Sequence, residues 1–372
     1  MFNHVDVIEV GMNGKVVGRL AYTPDSLCAF EYDSEYLRDG VSISPFYLPL
    51  KSGVFIARRD PFNGQFGVFN DSVPDGWGLL ITDRYLQRNG INPATLTPLD
   101  RLTIVGKDGM GALTYKPYFQ VRQREDINDI AALAAEVKRV LAEDYTGSLE
   151  ALINKGGSSG GARPKVILKI DSDEWLIKFP SSSDPQNIGQ TEYEYSLAAK
   201  KSGIEMPETR LFENKYFGVR RFDRVGNRRI HAHSASGLLY ASYRLPSLDY
   251  TELFKATSVL TRNMEEVGKL FRQMVFNVLT HNRDDHAKNF SFLLKNDTWC
   301  LSPAYDLVYS PGFNGFHTTT IAGSGNPTRK DIFEAAKIVG FPQKQASHIL
   351  DEVQEGCADL EYYTFSCLTK KK

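Results

Sequence analysis

The segment that most restricts how this chain can fold is His281-Asn282-Arg283-Asp284-Asp285-His286-Ala287-Lys288-Asn289. It follows a helical pattern at 264–281 and precedes a short β-hairpin, 290–294 and 299–301, turning at Asn296-Asp297. Pro303-Ala304-Tyr305-Asp306 stands just beyond that hairpin. A polar loop between a helix and a hairpin demands an α+β scaffold, and the rest of the chain reads that way. Further helices are expected at 249–261, 328–339 and 342–361. Upstream, Lys155-Gly-Gly-Ser-Ser-Gly-Gly-Ala-Arg-Pro-Lys165 runs into strands at 166–170 and 174–179, a helix at 191–202 stopped by Gly203, and a hairpin at 209–212 and 216–222.

Residues 1 to about 120 read as mostly β. Strands are expected at 5–10, 16–22 and 54–57, with a turn at Met12-Asn13-Gly14. Asp71 to Gly78 begins as a loop and leads into a helix at 77–88 that stops at Asn89-Gly90, and Gly106 to Gly111 is a glycine-rich turn. A helix at 127–143 has Ile130, Leu133, Val137 and Leu141 on one face, with Asp126 or Asn128 as its cap. His231 and His233 are expected at the surface.

Composition removes several classes. Lys and Arg number 44 against 45 Asp and Glu, a net charge of −1, so the whole surface is no magnet for nucleic acid or membrane. With 42% hydrophobic and 24% charged residues over 372 positions, the chain is globular and long enough for two or three domains. No apolar run approaches the roughly 18 residues of a membrane helix, and the N-terminus shows no secretory pattern. Four cysteines, at 28, 300, 357 and 367, form no CxxC pair, which suggests reduced thiols in a cytoplasmic protein. Lys370 to Lys372 read as a solvated tail.

The loop and its neighbours carry a specific chemistry. Asp284 and Asn289 have the spacing of five, and Asp306 the position past a hairpin, at which protein kinases keep a catalytic Asp and two metal ligands. A carboxylate is needed to orient or accept the attacking hydroxyl's proton, and hard oxygens are needed to hold Mg²⁺ against phosphates. The glycine-rich loop allows backbone N–H groups close to phosphates. Lys178, on the strand after it, sits where a kinase keeps its phosphate-pairing lysine, and Glu192 or Glu194 is the carboxylate to pair with it. The strand ending at Arg221-Phe222 takes the place of the hinge. His286 orients the loop and, with Lys288, counts among the nucleotide-site residues. Each piece alone has a plain structural explanation, and His281, Asp284, Asp285 and His286 could instead be a metal-hydrolase cluster. The order of all the pieces favours the kinase reading.

These residues also resemble a family. Ser158-Ser-Gly-Gly-Ala-Arg-Pro-Lys165, Arg221 to Arg224 (RFDR), NRDDHAKNFSF at 282–292 and LSPAYDL at 301–307 look like the HipA family of serine/threonine kinase toxins. VGRLAYTPDSLCAFEY and SVPDGWG resemble its β-rich N-terminal domain. The resemblance implies ATP and Mg²⁺ as cofactors, Asp284 as the catalytic residue, and Asn289 and Asp306 as metal ligands. It implies Lys178, Ser158, Ser159, Gly160, Gly161, Ala162, Lys165 and Glu192 at the nucleotide. It implies autophosphorylation at Ser158, with Ser159 the adjacent alternative. A helix-turn-helix DNA-binding antitoxin is the implied partner, with DNA contacted only through it. A protein substrate such as an aminoacyl-tRNA synthetase is implied as target. Asp306 is followed by Leu307-Val308 rather than Phe-Gly, a departure from protein kinases at large.

The expectation is thus an α+β, protein kinase-like bilobal fold. A β-rich N-terminal domain would cover 1–125, a small lobe with the glycine-rich loop 126–223, and a mainly helical large lobe 224–372. A catalytically silent module that binds an antitoxin or regulator, or a small-molecule kinase, are the competing functions.

Overall fold

A computed structural model describes residues 4–119, 127–144, 147–158 and 160–360. The chain forms two compact units. One comprises Met1–Gly189 with Arg210–His233, the other Gln190–Thr209 with Ser234–Lys372.

The first unit opens with an antiparallel sheet in the order Val54–Ile56, Cys28–Tyr32, Lys15–Tyr22, Val7–Met12, Leu113–Lys116. Period-two patterning builds it: Ile8, Val10 and Met12 are buried while their neighbours are not. Asn13 and Gly14 both have positive φ and pair Met12 with Lys15, the two-residue turn that matches strand twist. Phe30 anchors the core, 4.9 Å from Tyr32 and 5.3 Å from Phe69 between ring centroids. A second core joins the helix Gly76–Arg88 to the helices Ile130–Leu141 and Leu149–Gly156 and to a second sheet. That sheet runs Lys165–Ile170, Asp173–Lys178, Tyr216–Arg220, Thr209–Phe212. Leu133, Val137 and Val140 are buried on Ile130–Leu141, each contributing roughly 1.5–3 kcal/mol.

Several expectations need correction. The helix Ile130–Leu141 is capped by Asp129, whose carboxylate accepts from Ala132 N, not by Asn128; Asp126 lies outside the described residues. The helix Pro98–Val105 interrupts the expected mostly-β region, fixed by a capping box between Thr97 and Asp100. His231 and His233 are not surface residues: they are 2% and 0% exposed. Distant chain holds both rings in place. His231 Nε2 lies 2.9 Å from the Ile43 carbonyl oxygen, and His233 lies between Asp71 (Nδ1, 2.7 Å) and Ser44 (Nε2, 3.0 Å). Burial pushes the His231 pKa down to about 4.

The second unit is mainly helical. Met264–Leu279 is its axis, with Val267, Leu270, Phe271, Met274, Val275 and Phe276 all buried. Tyr250–Thr261, Arg329–Ile338 and Gln343–Cys357 contribute to the same core. The helix expected to reach 281 ends at Leu279, because His281 takes φ +51 and turns the chain into the polar loop. The helix expected over 342–361 spans Gln343–Cys357, and 361 lies outside the described residues. The hairpin Ser291–Lys295 and Thr298–Leu301 follows, turning on Asn296 and Asp297, both at positive φ.

Cys28, Cys300 and Cys357 are unpaired; Cys367 and the terminal lysines lie outside the described residues. No helix among the described residues is long and apolar enough to cross a membrane. The fold is α+β and kinase-like, with glycine-rich loop, antiparallel sheet, helix and a helical unit carrying a hairpin in that order.

Candidate active site

Two adjacent acids in the polar loop have opposite fates. Asp285 is fully buried. Its carboxylate accepts from Tyr250 Oη (3.1 Å), Thr318 N (2.9 Å) and Thr319 N (3.2 Å), and lies 2.9 Å from His317 Nδ1. A buried carboxylate so surrounded is an anchor with no lone pair left for chemistry. Asp284, one residue earlier, is exposed. The chain at 283–286 is neither helix nor strand, and with Asp285 anchored inward Asp284 is the acid left at the surface.

The same anchor reaches Asp306. Tyr250 Oη accepts from Asn277 Nδ2 (2.9 Å), Asn277 Oδ1 from Asn282 Nδ2 (2.9 Å), and Asn282 Nδ2 also donates to the Asp306 carbonyl (3.2 Å). Burial, then the Asp285 charge, raises the Tyr250 phenol well above its usual pKa, so it stays a donor. Beyond the hairpin the chain returns beside the loop: Ser310 N donates to His281 O (3.1 Å) and Arg283 N to Ser310 O (3.3 Å). Asp306 is half-buried at φ +57. Asn289 donates its Nδ2 to the Asp284 carbonyl (2.7 Å), which leaves its Oδ1 to act as an oxygen ligand. The loop ends in one 3₁₀ turn, Ala287–Asn289. Lys288 Nζ lies 4.0 Å from the Tyr243 ring centroid, and Tyr305 Oη donates to Lys288 O (2.6 Å). His286 is half-buried, its Nδ1 without a hydrogen-bond partner among the described residues.

The geometry gives the metal-hydrolase alternative no support. Among the described residues no three His, Cys, Asp or Glu side chains converge on a metal position, and Asp285 is spent on its own donors. The oxygen donors of Asn289 and Asp306 do fit Mg²⁺, which takes one or two carboxylates and completes its shell with phosphates and water.

In the first unit, the glycine-rich stretch begins later than its sequence suggests, since Lys155 and Gly156 close the helix Leu149–Gly156. Ser158 donates its hydroxyl to the Asp108 carbonyl at 2.7 Å; Ser159 lies outside the described residues. Gly160, Gly161 and Ala162 are exposed. Lys165 opens the strand that follows, directly opposite Lys178, and its ammonium donates to the Gly160 carbonyl at 2.6 Å. Lys178 Nζ lies 5.7 Å from the Phe217 ring centroid. Of the two carboxylates offered for pairing, Glu192 is buried in the second unit and Glu194 is exposed, accepting from Gln190.

Arg221 has a role the sequence did not suggest. Its backbone N–H donates to Glu174 O (2.8 Å), and its guanidinium spans Asp223 (2.7 Å), Glu174 (3.1 Å) and the Gly109 carbonyl. Burial opposes the Asp223 charge, but Arg221 and Arg224 hold its carboxyl down at about 2. Arg224 and Arg229 also donate to the carbonyls of Gly109 and Gly111. The RFDR stretch therefore clamps the glycine-rich turn near 109. Phe222, beside it, is half-buried. Tyr250, His317, Thr318 and Thr319 went unnoticed because they lie too far along the chain from Asp285 for any spacing signal, and nothing in the sequence marks Asn277, on the preceding helix, as a partner of Tyr250.

Residues 8–116 match the family model described as the HipA N-terminal domain, and residues 157–360 match the HipA-like C-terminal domain. Two Sinorhizobium fredii proteins are similar over most of the chain. "Putative kinase Y4dM" is 23% identical and "Putative kinase Y4mE" 28% identical, each covering 82% of this chain and 77% of its own length. The structure of the Shewanella oneidensis MR-1 toxin–antitoxin system HipA, with HipB and operator DNA, has the same fold. Its TM-score is 0.68 at 18% identity, over 98% of this chain and 92% of that one.

Proposed function

This chain belongs to the HipA family, and from that premise we propose that it is a protein serine/threonine kinase acting as the toxin of a toxin–antitoxin pair. The observation that carries the reading is the pairing of exposed Asp284 with buried Asp285 on a loop tied by hydrogen bonds to the Asp306 backbone. Bound Mg²⁺·ATP would supply the γ-phosphoryl group. Asp284 would orient a serine or threonine hydroxyl and take its proton. Asn289 Oδ1 and the Asp306 carboxylate would hold the metal. Lys178, steadied by Glu192, would contact phosphates, with the amides of Gly160, Gly161 and Ala162 beside it and Lys165 bracing the loop. The carbonyl of Arg221 is what that residue has left for adenine, next to Phe222. His286 and Lys288 would shape the floor of the catalytic loop. The division into 1–125, 126–223 and 224–372 belongs to the same proposal.

The chain's own Ser158 would be a substrate, with Ser159 the alternative, and phosphate there would add about −1.5 to −2 charges to a loop that must receive ATP's phosphates. The Shewanella protein's complex with HipB and operator DNA supports a helix-turn-helix antitoxin as partner, with DNA reached through it in the cytoplasm. An aminoacyl-tRNA synthetase is the target class favoured by family likeness. A mass-spectrometric survey of phosphoproteins after induction tests the proposal. New phosphoserine or phosphothreonine with the wild type and none with Asp284→Asn is expected; identical phosphoproteomes would overturn it.

A further inference from the structure

The glycine-rich loop is gripped by the segment that opens the helix Gly76–Arg88. Trp77 N donates to Gly161 O at 2.9 Å, its indole Nε1 to Lys165 O at 3.0 Å, and Thr82 Oγ1 to Gly157 O at 3.4 Å. The two backbones meet where neither has a side chain. A Cβ on Gly76, itself at φ +45, would lie 2.4 Å from the Gly161 carbonyl oxygen. A Cβ on Gly160 would lie 3.2 Å from Asp75 Oδ1. At Gly76 only glycine permits that approach.

Asp75 occupies the N-cap position of this helix, yet its side chain does not cap it. Its carboxylate instead accepts from the Gly161 N–H. Gly161 is at φ +85, and exposed loop amides of this kind are where anions bind. An acid is therefore already seated on a donor that an incoming phosphate would use.

We propose that Asp75 is an internal competitor for the phosphate-binding amides, so that nucleotide phosphate engages the Gly161 N–H only after Asp75 withdraws. The inference rests on the reading of this loop as the nucleotide's phosphate site. One donor serves one of two anions, and a carboxylate at hydrogen-bond range repels a polyphosphate it does not yield to. Asp75 falls within the stretch matched to the HipA N-terminal domain and Gly161 within that matched to the C-terminal domain. The latch thus gives the N-terminal domain a hold on nucleotide entry that is separate from phosphorylation of Ser158.

Asp75→Asn separates charge from shape, since the amide oxygen can still accept from Gly161. Calorimetric titration of the full chain with Mg²⁺·ATP is expected to show at least roughly tenfold tighter binding in Asp75→Asn than in the wild type. Asp75→Ser, which supplies a helix cap but no charge, is expected to follow it. Without nucleotide, hydrogen exchange over residues 157–165 is expected to be faster in Asp75→Ser than in the wild type. Binding equal to or weaker than wild type in both variants, or unchanged exchange in Asp75→Ser, would overturn the latch. A wild type and variants that all fail to bind ATP would overturn the nucleotide reading itself and the latch with it.

Discussion

The loop from His281 to Asn289, proposed as catalytic, and the glycine-rich loop both expose residues at their tips, Asp284 in one and Gly160 to Ala162 in the other, but they are held in different ways. The first is pinned from beneath by a buried carboxylate whose donors come from residues 250 and 317–319. The second is pinned from the side by groups that can exchange partners: Asp75 on Gly161, Ser158 on the Asp108 carbonyl, and Lys165 on the Gly160 carbonyl. A buried network fixes geometry, because breaking it strands polar groups away from water. Single hydrogen bonds made by the half-buried Asp75 and Ser158 are worth about 0.5–1.5 kcal/mol each, so this loop is the more easily released of the two. In the proposed reading, the contrast gives positioning to one loop and control to the other.

The contrast can be broken most forcefully at Asp285. Asp285→Ala leaves several buried donors unsatisfied, and chemical denaturation is expected to show a loss of about 3–5 kcal/mol. A loss near zero would mean that the anchor is not one. Next in size is the pH response of buried His231. Its folded pKa of about 4 lies below the usual 6.5, so the unfolded chain binds the extra proton between those values. Stability should therefore fall as pH drops from 6.5 to 4, by roughly 3 kcal/mol, and level off below. The difference between wild type and His231→Gln over that range isolates this contribution; a flat difference would contradict it. Tyr250→Phe removes one donor to Asp285 and the acceptor for Asn277, for an expected cost of about 1–3 kcal/mol. Ser158→Ala completes the comparison at the mobile end, with an expected loss below about 1 kcal/mol. A loss as large as that of Asp285→Ala would erase the distinction between the loops.

Much of this was legible in the sequence where the signal is local. Asn13-Gly14 and Asn296-Asp297 announced their hairpins through residues that tolerate positive φ. The five-residue step from Asp284 to Asn289 was read as kinase-like spacing, and the bond from the Asn289 amide to the Asp284 carbonyl was not foreseen. Thr97-Pro-Leu-Asp100 was a readable helix start, obscured by the strand-like surroundings. What stayed hidden depends on distant partners. His231 and His233 looked polar and exposed because their partners Ile43, Ser44 and Asp71 lie more than 150 positions away. Asp284 and Asp285 look equivalent in sequence, and only the donors converging on one of them tell the two apart. Asp75 is a turn residue by spacing, and its meeting with Gly161 is purely tertiary.

In the proposed reading, Asp284 carries out phosphoryl transfer on a loop that Asp285 holds in place. The most direct measurement is transfer from γ-radiolabelled ATP by the full-length Asp284→Asn protein, with its ATP affinity and unfolding midpoint measured alongside. The predicted result is a loss of about 10²–10⁴-fold in transfer with affinity and midpoint close to wild type. Transfer at the wild-type rate in Asp284→Asn would contradict it.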